Sequence, residues 1–274
     1  MDIVSANSSF QNEQIKSSEL AAWLISRGIS SITTDEIASL LGIPRNQVPQ
    51  RLAPTRKRKE MVLLSKGLWA PVPPEYKTWG APPAIDIIDS LMRYHQLNYY
   101  IGWLSAAALH GASHHAPQVF QVAVSRAIRA KTIGRSRFQF YNRVHVDSIT
   151  KVKVESKNGM VFVSSRETTL LDIANDIAIV GGLDNATNLI IELCDEIPDV
   201  NEISIIAENY PSSTIRRLGY IMENFTDVSN LVQLESVCNK RSVSVSLLDP
   251  QISNIGAIDK RWQLIINRKV NPDV

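Results

Sequence analysis

The side chains with the plainest capacity for chemistry fall in one stretch: Ser105, His110, His114 and His115, within Trp103-Leu104-Ser105-Ala106-Ala107-Ala108-Leu109-His110-Gly111-Ala112-Ser113-His114-His115. Histidines four apart on a helix can share a metal ion. Here Gly111 suits the left-handed turn that ends a helix, and it falls between them. No nearby carboxylate or cysteine completes a ligand set, so these are read as core or loop histidines and no metal is assigned. Ser105 with His110 suggests a nucleophile and base, but the G-x-S-x-G elbow is absent and hydrolysis is not expected. Asp172, Asp176 and Asp184 are read as part of an acidic surface, with a divalent-cation cluster as the alternative. Gly181-Gly182 is a turn, because no G-x-x-x-x-G-K-[ST] follows it. No catalytic residue and no cofactor emerges.

The other chemistry on offer is recognition of a polyanion. Residues 45–66 hold seven Arg/Lys against one Glu, and residues 126–157 hold nine Arg/Lys against Asp147 and Glu155. Residues 167–235 instead hold thirteen Asp/Glu against Arg216 and Arg217. Segregated charge of this kind separates a face for an anion from a face for solvent or a basic partner. In the first stretch, Arg45, Asn46, Gln47, Gln50 and Arg51 are side chains whose donors and acceptors match purine edges in a major groove. Arg56-Lys57-Arg58-Lys59 follows where phosphate contacts belong, and Lys66 sits at the tip of a hairpin. In the second stretch, Arg126, Arg129, Lys131, Arg135 and Arg137 fall between two strands, in a loop with Gly134. They are read either as an additional phosphate surface or as charges that solvate a loop and a strand edge.

These side chains need elements to hold them. After nine polar residues expected to fray, Ile15, Leu20, Ala21, Trp23, Leu24 and Ile25 predict an amphipathic helix from Phe10 to Arg27, closed by Gly28. Thr33-Thr34-Asp35-Glu36 has capping-box spacing and opens a second helix, which Gly42-Ile43-Pro44 breaks. A third short helix is expected over Asn46–Ala53, with Asn46 as N-cap and Pro49 in the first turn. Met61–Leu64 and Leu68–Ala70 read as a hairpin. This order is that of a winged helix-turn-helix domain. Residues 71–83 contain five prolines and a glycine and read as a stiff connector. The division adopted is 1–75 for the DNA-binding domain, 76–83 for the connector and 84–274 for the second domain. That domain is expected to hold helices at about 84–96 and 102–110 and strands at 118–125, 137–141 and 144–147. A pair at 150–155 and 160–163, turned by Asn158-Gly159, comes next. A helix capped by Ser164-Ser165-Arg166-Glu167 and running to about Ile177 follows, then helices at 185–196, 200–208 and 212–225 and an apolar end, Trp262–Ile266. The fold class is α+β: an N-terminal winged helix-turn-helix followed by a larger mixed α/β domain.

Composition sets the outer limits. At 274 residues and 44% hydrophobic, the chain can fill two ordinary cores, and its net charge of +2 alone says nothing of nucleic acid. Cys194 and Cys238 lack metal-ligand spacing, and a reduced cytoplasmic protein is the expectation. The start, Met1-Asp2-Ile3-Val4-Ser5, is not that of a signal peptide, and no apolar run reaches membrane-span length.

Several spaced motifs resemble the AbiE-type antitoxins, the regulators of type IV toxin–antitoxin systems. They are Val72-Pro73-Pro74-Glu75-Tyr76, Leu91-Met92-Arg93-Tyr94, Tyr99-Tyr100-Ile101-Gly102, the Leu104–Gly111 helix and Gln118-Val119-Phe120-Gln121-Val122. Arg166-Glu167-Thr168-Thr169-Leu170-Leu171-Asp172, Gly181-Gly182-Leu183-Asp184-Asn185, Arg217-Leu218-Gly219-Tyr220 and Arg261-Trp262-Gln263-Leu264-Ile265-Ile266-Asn267 also fit. The resemblance implies a non-enzymatic antitoxin that represses its own operon. The winged helix would bind inverted repeats in the operator, and the second domain would carry antitoxin activity and assist cooperative DNA binding. The partner implied is a nucleotidyltransferase-like toxin of abortive phage infection, opposed without a stable toxin–antitoxin complex. Two alternatives stay open: a C-terminal enzyme that modifies the toxin or reverses its effect on RNA, and a general winged-helix regulator.

Overall fold

The computed structural model describes residues 15–112, 117–196, 198–240, 244–253 and 255–272. The first nine residues, the start of the expected first helix, His114 and His115 lie outside them.

In chain order the elements are α1 (Leu20–Ser26), β1 (Ile32–Thr33), α2 (Thr34–Leu41), α3 (Val48–Arg51), α4 (Ala53–Lys57), β2 (Met61–Ser65), β3 (Leu68–Pro71) and α5 (Ala84–Tyr94). Then come β4 (Tyr99–Ile101), α6 (Trp103–Leu109), β5 (Val119–Val124), β6 (Lys131–Ile133), β7 (Ser136–Asn142), β8 (Lys151–Ser156) and β9 (Gly159–Ser164). The chain closes with α7 (Arg166–Asn175), α8 (Leu183–Cys194), α9 (Val200–Ile206), α10 (Ser212–Phe225), α11 (Val232–Asn239), β10 (Ser246–Leu247), β11 (Ala257–Asp259) and β12 (Leu264–Ile266). The protein is therefore mixed α+β. No helix among the described residues is long and apolar enough to cross a membrane.

Two compact units divide these elements. Unit 1 comprises residues 1–98, 129–139 and 155–161; unit 2 comprises 99–128, 140–154 and 162–274. Unit 1 thus reaches past the Pro-rich stretch and takes in α5. In it, β1-β3-β2 form an antiparallel sheet with Ile32 opposite Trp69 and Met61 opposite Pro71. Leu20, Leu24, Ile37, Val48, Leu52 and Trp69 build its core. The capping box at the head of α2 is present: Thr33 Oγ1 accepts from the Glu36 amide at 3.2 Å, and the Thr33 amide donates to Glu36 Oε2 at 2.7 Å. Gly42 ends α2 in the left-handed region, φ 63°.

The larger sheet has strand order β6-β7-β5-β4-β9-β8. Within unit 2, β4 runs antiparallel to β5 and parallel to β9, Ile101 facing Val163. The core of this unit includes Leu170, Leu171 and Ile173 of α7, Leu189 and Ile190 of α8, and Leu218 and Ile221 of α10. A second small sheet, β10-β12-β11, sits at the chain's end. Gly219 of α10 lies against Trp262: a Cβ there would stand 2.2 Å from the indole ring.

Several expectations change. The first helix begins only at Leu20. Residues 144–147 form a turn, whose Val146 is buried, and no strand. Lys131, expected in a loop, lies in β6, which forms an antiparallel hairpin with β7 and sets Lys131 opposite Phe138, while Arg137 lies in β7, where a strand is expected. Gly111 does end α6. Its amide donates to Ala108 O at 3.2 Å and the Ala112 amide to Ala107 O at 2.9 Å, the paired bonds of a Schellman cap.

Candidate nucleic-acid interface and a buried carboxylate centre

The residues singled out for base recognition sit on a broken helical path. Arg45–Gln47 form a 3-10 turn, then come α3 and α4. Pro49 and Pro54 each occupy a first turn, where a missing N–H costs nothing. The path holds together because the Leu52 amide bonds Val48 O and the Arg56 amide bonds Leu52 O, each at 2.9 Å. Asn46 makes no capping bond, contrary to the expected N-cap, because the turn begins one residue after Pro44 and α3 starts from Gln47. Val48, Leu52 and Thr55 face inward at intervals of four and three. Helical spacing then leaves Arg45, Asn46, Gln47, Gln50, Arg51, Arg56, Lys57, Arg58 and Lys59 exposed.

These cations are not equivalent. Arg45 lies 3.3 Å from Asp35 in an exposed pair. Arg58 pairs with Glu60 at 2.8 Å, and its hydrogen bond holds the Glu60 carboxyl below the usual range. The Arg56 guanidinium stands 5.7 Å from the Trp69 ring centroid, while the buried Trp69 indole donates to Thr34 Oγ1 at 2.9 Å. Lys66 is exposed in the β2–β3 turn. Tyr94 Oη donates to Lys66 O at 3.0 Å, so α5 holds the turn in place.

The second basic stretch divides. Arg129, Arg135 and Arg137 are exposed in unit 1, and Arg126 is exposed in unit 2. Lys131 belongs to neither reading made of it: its Nζ donates to Leu64 O at 3.0 Å and Ser65 Oγ at 3.1 Å. Burial lowers its pKa, and its task is to tie β6 to β2.

In unit 2 the expected acidic surface loses Asp172, while Asp176 and Asp184 are half-buried. Asp172 is fully buried and accepts from Tyr100 Oη at 3.0 Å and Tyr210 Oη at 2.9 Å, with Arg143 Nη2 at 3.3 Å. Arg143 also pairs with Asp176, and its guanidinium lies 5.1 Å from the Trp103 ring, whose indole donates to Asp176 at 2.9 Å. Asp184 pairs with Arg268. Burial pushes Asp172 up to about 6, against the pull of Arg143 and the tyrosine donors. Burial likewise drives Tyr100 and Tyr210 well above their ordinary range, so both stay protonated donors. Arg216 and Arg217 turn inward too. Arg217 donates to Leu248 O at 2.7 Å, Leu247 O at 3.1 Å and Ala174 O, and desolvation lowers it to about 10. This is a scaffold: the carboxylates are engaged by their neighbours, and Asp172 has no solvent-facing surface.

Neither alternative centre assembles. His110 Nε2 lies 2.8 Å from Ser164 O, while Ser105 Oγ accepts from the Gln121 amide at 2.9 Å, so the two serve different backbone groups. Among the described residues no group of three His, Cys, Asp or Glu side chains could hold a metal ion. No spacing in α7 announces Asp172: at about 100° per residue it falls between Thr168 and Thr169, opposite the side of Leu170, Ile173 and Ala174, and it is buried because residues 168–174 all are.

Residues 100–224, from β4 through most of α10, match the family model described as the AbiEi antitoxin C-terminal domain. No curated protein gives a significant match. Among solved structures, the one described as the crystal structure of RV2827C protein from Mycobacterium tuberculosis superposes with a TM-score of 0.66 at 16% identity. The match covers 91% of this chain and 90% of that one, so the two share a fold. The matched residues, 100–224, carry the buried Asp172 centre, and the match supports an AbiEi-type antitoxin family for this part of the chain.

Proposed function

We propose that this antitoxin works through two separable surfaces. Unit 1 is a winged helix-turn-helix that binds inverted repeats in the promoter of its own operon and represses it. Arg45, Asn46, Gln47, Gln50 and Arg51 read base edges, while Arg56, Lys57, Arg58, Lys59 and Lys66 hold phosphates. The supporting observation is the two-sidedness of the α3–α4 path. Val48, Leu52 and Thr55 are fixed in the core, while every Arg, Lys, Asn and Gln between 45 and 59 is exposed. Arg58 contributes less than its neighbours, since Glu60 already neutralises it.

Unit 2 carries the antitoxin activity. It opposes a nucleotidyltransferase-like toxin in a type IV system of phage defence, without a stable complex and without catalysis of its own. The match of residues 100–224 to the antitoxin C-terminal domain supports this part. The inward-facing carboxylates and the separation of Ser105 from His110 favour a non-catalytic reading over the enzymatic one.

The test uses the full chain, because unit 1 contains residues 129–139 and 155–161 and a cut at residue 84 would split it. Gel-shift binding to the promoter duplex is compared with growth rescue of cells expressing the operon's toxin. Replacing Asn46, Gln47, Gln50 and Arg51 together by Ala is expected to abolish operator binding and repression while leaving rescue intact. Unchanged operator binding by the folded variant would overturn the assignment.

A further inference from the structure

We propose that the β6–β7 hairpin and the end of α4 form a second phosphate-binding site in unit 1, which grips the DNA backbone beyond the bases read from the α3 segment. This rests on the DNA-binding reading of unit 1 and extends its footprint to residues distant in sequence.

A groove of about 540 Å3 carries the argument. Its walls include Arg56, Lys57 and Lys59 from α4 and the turn after it, and Thr132, Ile133 and Gly134 from the hairpin. Arg137 pairs in register with Thr132, and Arg135 follows Gly134 directly. All five basic side chains, Arg56, Lys57, Lys59, Arg135 and Arg137, are exposed, and none makes an ion pair with a described residue. Residues 129–139 contain no carboxylate, and Glu60 beside Lys59 is already taken by Arg58 and Lys77. A site with free cations and its nearest carboxylate neutralised fits a polyanion.

The hairpin is held in place. Lys131 fastens β6 to Leu64 and Ser65 of β2. Gly134, at φ +58°, packs so closely that a Cβ would stand 2.5 Å from Trp79 O. Cations on a fixed frame lose little freedom on binding. Lys59 adds an independent sign. It occupies the left-handed position after α4, φ 55°, where its amide bonds Arg56 O and the Glu60 amide bonds Thr55 O, each at 2.9 Å. Glycine is the easy residue for that cap, and a lysine kept there in spite of strain points to use of its charge.

The experiment measures binding of the full chain to its promoter duplex across salt concentrations, with melting temperature as a fold control. Arg135→Gln/Arg137→Gln is expected to lower the slope of log affinity against log salt by about 0.9 for each lost contact, or roughly eightfold in affinity per contact at 0.1 M salt. Its melting temperature should not move. Lys59→Gly is expected to raise the melting temperature and lower the slope together, a combination that a purely structural lysine would not give. An unchanged slope in both variants, with wild-type binding intact, would overturn the second site and leave the base-reading assignment standing. Loss of toxin rescue with unchanged DNA binding would assign the hairpin to another partner and also overturn it. Failure of the wild-type chain to bind the duplex would remove both readings.

Discussion

Four basic residues of unit 1 and three of unit 2 have the same chemistry and opposite surroundings. In unit 1, Lys57, Lys59, Arg135 and Arg137 stand in solvent without an ion pair to a described residue. In unit 2, Arg143, Arg216 and Arg217 are turned inward onto Asp172, Asp176 and backbone carbonyls. A guanidinium in water costs nothing to keep and is ready for a phosphate. One in a core is tolerated only with its donors satisfied, and there it fixes the packing of the chain segments whose carbonyls it holds. Charge counted along the sequence merges these two states. What separates a binding surface from a scaffold is which partners each cation already has.

The sharpest way to break this contrast is to remove an inward arginine. Arg217→Met would strand the carbonyls of Ala174, Leu247 and Leu248, and we expect a loss of about 3–5 kcal/mol in denaturant unfolding. Arg135→Met, by contrast, should leave unfolding unchanged. Equal effects at the two positions would erase the distinction.

The buried carboxylate gives a pH signature. Asp172 has a folded pKa near 6 against an ordinary 3.8, so the folded state binds its proton more tightly than the unfolded chain does. The associated stability is fully present below the unfolded value and is lost as pH rises through about 6. The full span corresponds to roughly 3 kcal/mol at about 1.4 kcal/mol per unit. Asp172→Asn should remove this decline between about pH 4 and 6, which stability measured across that range would reveal. A decline of the same size in the variant would assign it to another group.

Smaller effects belong to the exposed side. Single replacement of Asn46, Gln47 or Arg51 by Ala should weaken operator binding by about 1–3 kcal/mol and relax sequence preference, with unfolding unchanged. Lys66→Ala should weaken binding equally on all sequences and reduce the salt slope by about one unit. Loss of sequence preference on changing Lys66 would move it from the phosphate group to the base-reading group.

Much of unit 1 was legible because its signals are local. The Thr33/Glu36 capping box, Gly42 and the Met61/Leu68 hairpin depend on residues a few positions apart, and each appears where expected. The Gly111 cap in unit 2 follows for the same reason. What the sequence hid depends on distant partners. Lys131-Thr132-Ile133 is too short to show alternation, and becomes a strand by pairing with β7. Lys131 reads as one cation among five until Leu64 and Ser65 are found to hold it. The acid-rich run from 167 to 235 reads as solvated, and every carboxylate in it except Asp172 is exposed or half-buried. Asp172 escapes that rule through Arg143, whose proximity no spacing announces. Arg216 and Arg217 point away from the face shared by Ile215 and Leu218, and they are inward because Thr214 through Gly219 of α10 are buried on every side.

The most direct test of the division between an exposed cationic surface and an inward-braced antitoxin unit is growth rescue by the full-length protein with Asn46, Gln47, Gln50 and Arg51 all changed to Ala, in cells expressing the operon's toxin from an independent promoter. Rescue equal to wild type, by a folded protein that no longer shifts the promoter duplex, is the expected result. Loss of rescue together with loss of DNA binding would mean that neutralisation passes through the DNA-binding surface, and the two-surface account would be wrong.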